Sequence, residues 1–116
     1  CSDAAFATAT GALQAAGLEV SRVEDAPAMV LLRIVAMLVN EAADAVLQGV
    51  ADARAIDLAM RKGVNYPRGP FEWASALGTG AVRDALTHLG QHYGEDRYRL
   101  SPLLTRRAAT GRPLDG

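Results

Sequence analysis

The chain has 116 residues, of which 50% are hydrophobic and 22% are charged, so it forms one packed domain and neither a disordered tail nor a two-lobed enzyme. Its formal net charge of -1 argues against a nucleic-acid partner, and no apolar run reaches the roughly 20 residues that span a bilayer, so we expect neither nucleic acid nor membrane as a partner. The single cysteine, Cys1, excludes an internal disulfide, and because no signal-peptide pattern opens the chain we expect a cytoplasmic protein.

The first 24 residues are interpreted as an appendage to the main body. Ser2-Asp3 form a typical N-cap, and the alanine-rich stretch after them predicts a short helix that ends at Gly17. Residues 18–25 then alternate apolar and polar side chains, which predicts one short strand or an extended segment. Because no second strand is predicted, this segment either pairs with another chain or domain or runs extended across the surface. Residues 1–24 are therefore predicted to form a short helix and an extended segment before a helical domain at residues 25–110.

The dominant predicted element is a long helix that begins near Pro27 and ends at Gly49. It spans about 22 residues, or about 33 Å. Its first half is apolar around nearly its whole circumference, which is typical of a helix surrounded by protein. Polar side chains return on one narrow stripe, which we expect to face solvent. The apolar residues are Met29, Val30, Leu31, Leu32, Ile34, Val35, Met37, Leu38 and Val39, and the stripe comprises Arg33, Asn40, Glu41, Asp44 and Gln48.

Shorter helices are predicted after the long one. Asp52 is the N-cap candidate of the first, whose inward face would be Ile56, Ala59 and Met60. Residues 111–116 are expected to form a loose tail. The chain is therefore predicted to be all-α, a helical bundle around one long buried helix, with one possible short N-terminal strand. The predicted bounds of the shorter helices are Asp52 to Gly63, Pro70 to Gly78, Thr79 (as the cap) to Tyr93, and a last helix from Ser101-Pro102.

The stretch NYPRGPFEW, residues 65–73, contains two of the five prolines and the only tryptophan. Pro67 and Pro70 fix φ at two points and bias the residue before each away from helix, while Gly69 supplies conformational freedom between them. Phe71 and Trp73 are expected to enter the core from the next helix. Because no set of polar side chains converges on this stretch, it predicts a rigid corner that directs one helix across another, in preference to a ligand clamp.

The polar motifs do not form a recognisable catalytic set. GTGAVR, residues 78–83, lacks the third glycine and the preceding strand of a dinucleotide fingerprint, so it predicts a helix–helix turn. His88 and His92 share one helix face, but two ligands do not complete a metal site. Cys1 is terminal and no serine lies in an activated setting, so no nucleophile is predicted. The C-terminal end is basic and could receive a phosphate group, although a solvated surface is the preferred interpretation; its arginines are Arg97, Arg99, Arg106, Arg107 and Arg112.

Several motifs that are weak alone are specific in combination. They are Asp25-Ala26-Pro27 before the long helix, Asn40-Glu41-Ala42 within it, Ile56-Asp57 in the next helix, and Pro67-Arg68-Gly69-Pro70-Phe71 at the corner. With these motifs, residues 18–109 resemble the C-terminal helical domain of the 3-hydroxyacyl-CoA dehydrogenases. The ending YGEDRYRLSPLL, residues 93–104, is similar to the second helical domain of long bacterial members, in which this module is duplicated. The resemblance implies that residues 1–24 are the remnant linker helix and extended segment that join the two copies.

The resemblance implies a parent enzyme that oxidises a 3-hydroxyacyl-CoA to the 3-oxoacyl-CoA with NAD, in β-oxidation or phenylacetate-type degradation. In the family, a Rossmann domain holds NAD and a His–Glu pair, and the helical domain shapes the acyl-CoA cleft and makes the dimer contact. Catalytic copies of the helical domain carry Gly-Phe-Ile-Val-Asn-Arg where residues 28–33 here read Ala-Met-Val-Leu-Leu-Arg. Leu32 stands at the position of the functional asparagine and cannot form its hydrogen bond. We therefore assign no catalytic, cofactor-binding or metal residue to this chain.

Two hypotheses follow for the function. In the first, the chain is a packing and dimerisation module of such an enzyme, inactive alone, whose partners are a sister helical domain or homodimer and the parent's Rossmann domain. It holds no NAD and meets acyl-CoA only through the parent. In the second, it is a free-standing domain that self-associates through the apolar circumference from Met29 to Val39. A GxGxxG strand–turn–helix encoded upstream supports the first hypothesis, whereas a start codon just before Cys1 supports the second.

Overall fold

The computed structural model describes residues 2–116, which are helical throughout their regular parts. The all-α prediction is confirmed. The possible strand is wrong, because residues 18–26 form no regular structure and no strand lies in the described range to pair with them. Among residues 2–116, none of the helices combines the length and the apolar character that a membrane span requires. The helices are α1 (Asp3–Ala15), α2 (Leu31–Leu47), α3 (Ala53–Gly63), α4 (Pro70–Leu77), α5 (Thr79–Tyr93) and α6 (Pro102–Thr110), with a 3-10 turn at Asp96–Tyr98 between the last two.

Helix α2 is the centre of the fold, and α3, α4, α5 and α6 all pack against it. Its buried face meets large side chains from the other helices, each of which contributes about 1.5–3 kcal/mol when fully buried. This arrangement confirms the long helix as the organising element. The core consists of Val35, Ala36, Val39, Ala42 and Ala43 from α2, with Phe71, Ala74, Val82, Ala85, Leu86, Leu89, Tyr98, Leu104 and Leu114 around them.

The start of α2 differs from the prediction. The helix begins at Leu31 and not near Pro27, because Ala28 and Met29 adopt positive φ angles of 57° and 46°, which a right-handed helix does not admit. The predicted burial of its first half holds on one side only, because Leu31 is 75% exposed and Ile34 is 51% exposed while the core positions of this stretch are buried. The other helices cover only one side of α2 at this end, so the remaining apolar side chains face outward.

The polar stripe of α2 does not face solvent at its centre. Asn40 is 1% exposed and Asp44 is buried, because the chain from the 3-10 turn to the start of α6 lies over them. Only Glu41 and Gln48 are exposed as expected. The stripe therefore binds a neighbouring non-helical segment, whose backbone N–H and C=O groups require hydrogen-bond partners once they are buried.

The corner predicted between α3 and α4 is present. Gly69 approaches α3 so closely that a Cβ atom there would lie 2.2 Å from the Asp57 carboxyl group. Phe71 is buried, and Trp73 is half-buried and packs against the core, as predicted. The inward face of α3 is only partly correct, because Ala59 is exposed while Ile56 and Met60 are half-buried.

The two ends of the chain behave differently. Helix α1 has no buried residue, and Arg22 contacts it with an ion pair to Asp3 (3.6 Å) and a guanidinium 4.8 Å from the Phe6 ring centre. At the other end Leu114, in the segment expected to be loose, is 3% exposed and belongs to the core. The α4–α5 junction is capped by Gly78 at φ 89°, and Thr79 is the first residue of α5 and not its cap.

Candidate functional site

The most conspicuous surface feature is an apolar face at the start of α2. Leu31 and Leu32 on α2, with Trp73 and Leu77 on α4, line an open cavity of about 420 Å³, and we call these four residues the open apolar face. All four are exposed or half-buried although they are large and hydrophobic. Met29 and Val30, directly before Leu31, are exposed as well. Contiguous apolar surface of this kind typically marks a protein or ligand contact.

The corner supplies the far wall of this cavity. Pro67 and Arg68 line it, and the Tyr66 ring lies 5.5 Å from the Trp73 ring, centre to centre. Proline fixes the backbone here and leaves little conformational entropy to lose when a partner binds. The wall is therefore preformed.

Arg33 fixes the position of α2 beside this face. Its guanidinium lies 4.7 Å from the ring centre of Tyr93 and 5.4 Å from that of Tyr98, and it donates hydrogen bonds to both phenol oxygens. The two rings stack on each other at 5.6 Å. Arginine binds aromatic faces by cation–π attraction as well as by its donors. This contact joins α2 to α5 and to the 3-10 turn.

A second polar network holds the segment after the 3-10 turn. Asn40 donates from Nδ2 to the Arg99 carbonyl (3.0 Å) and accepts at Oδ1 from the Ser101 backbone N–H (2.8 Å). Arg99 donates to the Asp44 carboxylate at 2.7 Å. The Ser101 hydroxyl, opposed by burial and aided by Arg99, holds the pKa of Asp44 below its usual range. Within residues 2–116 Ser101 Oγ makes no hydrogen bond of normal geometry, whereas the Arg99 ion pair at 2.7 Å accounts for the same direction of shift.

At the corner, the Asp57 carboxylate caps α4 from a different helix. Its two oxygens accept from the backbone N–H groups of Phe71 (2.9 Å) and Glu72 (3.1 Å). Burial raises the pKa of Asp57, although these two hydrogen bonds oppose the shift. Glu72 in turn accepts from the Gly69 N–H (2.9 Å) and pairs with Arg61 (2.9 Å). The carboxylate therefore satisfies orphan donors at the helix start, and no substrate role is needed to explain it.

The candidate chemical residues named from the sequence do not come together. His88 and His92 are both exposed, and within residues 2–116 no group of three or more His, Cys, Asp or Glu side chains could hold a metal ion. GTGAVR is the predicted helix–helix turn at Gly78, and it follows a helix and not a strand, so it does not fit the phosphates of NAD. Leu32 lies on the open apolar face, and Cys1 lies outside the described residues.

Sequence reasoning missed the roles of Arg33, Asn40 and Asp57. Each is a polar residue inside a helix with its partner 14 to 65 residues away along the chain. The only available signal was their position on or beside apolar helix faces, where an unpaired polar group is costly. That signal indicates burial, but it does not identify the partner.

Comparison with known proteins identifies relatives over most of the chain. The sequence profile of the 3-hydroxyacyl-CoA dehydrogenase C-terminal domain matches residues 29–114. The chain is 47% identical over 106 residues to 3-hydroxyadipyl-CoA dehydrogenase of Escherichia coli (strain K12), covering 91% of this chain and 22% of that protein.

Solved structures agree with this result. The crystal structure of 3-hydroxybutyryl-CoA dehydrogenase from Escherichia coli K12 matches with a TM-score of 0.85 and 45% identity, over 96% of this chain and 24% of that one. The (S)-3-hydroxybutyryl-CoA dehydrogenase of Ralstonia eutropha matches with a TM-score of 0.86 and 27% identity, over 95% of this chain and 39% of that one. The chain therefore spans between about a fifth and two-fifths of the length of these relatives.

Proposed function

This chain belongs to the 3-hydroxyacyl-CoA dehydrogenase family as its C-terminal helical domain, and we propose that it is a packing module of such an enzyme that performs no chemistry alone. The parent enzyme oxidises a 3-hydroxyacyl-CoA to the 3-oxoacyl-CoA with NAD, in β-oxidation or phenylacetate-type degradation. The module's partners are a sister helical domain or homodimer and the parent's Rossmann domain. The enzyme acts in the cytoplasm.

The open apolar face is the observation that carries this proposal. A partner that covers Leu31, at present 75% exposed, would gain about 1.5–3 kcal/mol from that side chain alone. Arg33 and the proline corner hold the two walls of the face in place, so little ordering is required on binding. A packing surface is thus the most economical role for it.

The lengths of the relatives support a sister domain within one chain. Nearly the same share of this chain, 96% and 95%, matches 24% of the E. coli structure but 39% of the R. eutropha structure. The E. coli protein is therefore the longer one and has room for a further module beside the matched one. We propose the same arrangement for the parent of this chain, with the two helical copies packed through their α2 helices.

Position 32 supports the non-catalytic part of the proposal. Leu32, at the family's functional asparagine position, is part of the open apolar face, and its side chain has no hydrogen-bond donor or acceptor. A leucine there suits a packed interface and could not orient a substrate oxygen. We accordingly place the parent's catalytic residues outside this chain.

The activity of the isolated chain tests the proposal directly. The purified chain mixed with NAD and 3-hydroxybutyryl-CoA is expected to form no NADH above the protein-free rate, followed by absorbance. Detectable turnover that scales with protein concentration would overturn the proposal.

Sedimentation equilibrium tests the packing role of the open apolar face. At high concentration the chain is expected to self-associate, with Leu31→Glu abolishing association and Leu58→Glu, an exposed leucine of α3, leaving it intact. Equal behaviour of the two variants would remove the face as the contact. The free-standing alternative gives the same association, and the coding sequence upstream of Cys1 separates the two: a GxGxxG strand–turn–helix supports the module, and a start codon supports the free domain.

A further inference from the structure

The C-terminal end of α6 carries a cluster of arginines with no partner. Arg106, Arg107 and Arg112, with Leu103 and Thr110, line an open hollow of about 290 Å³, which we call the arginine hollow. Across residues 2–116, no carboxylate lies within 4.0 Å of these three guanidiniums, and none of them donates a side-chain hydrogen bond. Among residues 2–116, five other arginines are paired with acids, as Arg61 is with Glu72.

The backbone holds these charges together. Gly111 adopts a left-handed φ of 65°, which turns the chain so that the Arg112 N–H donates to the Arg107 carbonyl at 3.1 Å. Leu114, two residues further, is 3% exposed and anchors the returning segment in the core. The hydrogen bond and the buried Leu114 therefore hold Arg112 beside the last turn of α6.

Helix electrostatics explains only part of the cluster. A cation in the last turn of a helix is favoured by the helix dipole, and this accounts for Arg107. Arg112 lies beyond the end of the helix, where that benefit falls off, yet it is brought to the same hollow. In a chain whose net charge is -1, three unpaired guanidiniums around one hollow repel one another and attract an anion.

We propose that the arginine hollow binds a phosphate or diphosphate group of a small-molecule anion. The planar fork of a guanidinium matches phosphate oxygens bidentately, and three such forks around about 290 Å³ suit one or two phosphate groups. The apolar side chain of Leu103 gives the hollow a surface for the carbon part of a phosphate ester. This inference does not depend on the proposed oxidoreductase role, because it concerns α6 and the tail and not the open apolar face.

Isothermal titration of the chain with inorganic pyrophosphate tests the proposal. Binding is expected at low ionic strength and is expected to weaken at about 0.15 M salt, since the charges are exposed. Arg106→Gln with Arg112→Gln should weaken it at least about tenfold, because two charge-assisted contacts are lost. The matched control removes two positive charges elsewhere: Arg54→Gln with Lys62→Gln on α3, whose side chains are exposed and make no ion pair in the described part of the chain.

A third variant tests whether the position of Arg112, and not only its charge, matters for binding. Leu114→Ala keeps all three arginines but loosens the segment that carries Arg112, so pyrophosphate binding should weaken while the far-ultraviolet circular dichroism remains helical. The proposal is overturned if pyrophosphate does not bind the unaltered chain, or if the α3 control weakens binding as much as the α6 pair does.

Competition identifies the source of the phosphate group. Coenzyme A and NAD are each titrated against bound pyrophosphate. Displacement by either one, in the unaltered chain and equally in the α3 control, supports the hollow as a nucleotide-phosphate site, and displacement by neither supports a site for free phosphate anions. Because the pyrophosphate measurement requires no enzyme activity, it can fail or succeed independently of the proposed function.

Discussion

At the scale of single residues, two buried carboxylates have pKa values that are shifted in opposite directions. The α3–α4 corner buries Asp57, and burial raises its pKa. Two hydrogen bonds from backbone N–H groups of α4 compensate the buried carboxylate. Asp44 faces the Ser101 hydroxyl and Arg99, and its pKa is lowered. Asp57 therefore acts as a helix cap, while Asp44 holds the segment that covers α2.

Replacing Asp57 tests its role as the cap of α4. Asp57→Ala leaves the N–H groups of Phe71 and Glu72 without partners in a buried setting, so it should lower the free energy of unfolding by about 2–4 kcal/mol. Asp52→Ala is the matched control on the same helix: Asp52 caps one exposed N–H, that of Ala55 at 2.8 Å, and its loss should cost about 1 kcal/mol. Urea unfolding followed by the fluorescence of Trp73 measures both. Equal losses would mean that Asp57 does not hold the corner.

The lowered pKa of Asp44 predicts a pH dependence with a definite sign. Because the folded-state pKa lies below the ordinary value of 3.8, the carboxylate stabilises the fold above that pH, and the contribution is lost as pH falls through 3.8 towards the folded-state pKa. Asp44→Asn should therefore cost about 1 kcal/mol at pH 7, a small value because Arg99 is largely exposed, and less at pH 3. Asp84→Asn, at an exposed carboxylate, should change stability by less than about 0.5 kcal/mol at both pH values. A loss at Asp44 that grows on acidification would contradict the assignment.

At the scale of the elements, local signals determined most helix boundaries. The N-cap at Asp52, the proline that opens α4 and the left-handed glycine after α5 each act through neighbouring residues, so they could be identified from the sequence. The rigid corner at residues 65–73 was predictable for the same reason, since proline fixes its own φ and restricts the residue before it.

The errors at this scale come from contacts distant along the chain. The start of α2 was placed too early because nothing in the sequence forces Ala28 and Met29 to positive φ. The stripe containing Asn40 was expected in solvent, whereas residues 99–101 cover it with hydrogen bonds that the periodicity of α2 cannot reveal. Periodicity identifies a polar face of a helix, but it does not show whether that face contacts water or another segment of the chain.

For the candidate site too, local features could be predicted from the sequence and long-range contacts could not. The apolar composition of the start of α2 was evident from the sequence, and the structure leaves part of that apolar surface exposed. Which side of α2 remains open could not be predicted, because this depends on how α4 and the corner pack beside it. The pairing of Arg33 with Tyr93 and Tyr98 depends on the same packing and could not be predicted either.

At the scale of the whole molecule, the chain is more extended than a compact domain of its length. Its Cα radius of gyration is 16.7 Å, against roughly 13 Å for a compact chain of this size. Helix α1 has no buried residue and lies at the opposite end of the sequence from the buried Leu114. The helical body is therefore held together by α2 to α6 and the tail, and α1 is an appendage that gains little from it.

Truncating each end should show this asymmetry. Removing residues 1–17 should change the free energy of unfolding by no more than about 0.5 kcal/mol, because a lone helix of 13 residues is marginal in water and α1 adds no buried contact. Removing residues 112–116 takes Leu114 out of the core and should cost about 1.5–3 kcal/mol, although it deletes fewer residues. Hydrogen exchange should show the α1 amides exchanging far faster than those of α2. If the first truncation instead destabilises the body as much as the second, α1 contributes to the core, and the helical body cannot be limited to α2 to α6 and the tail.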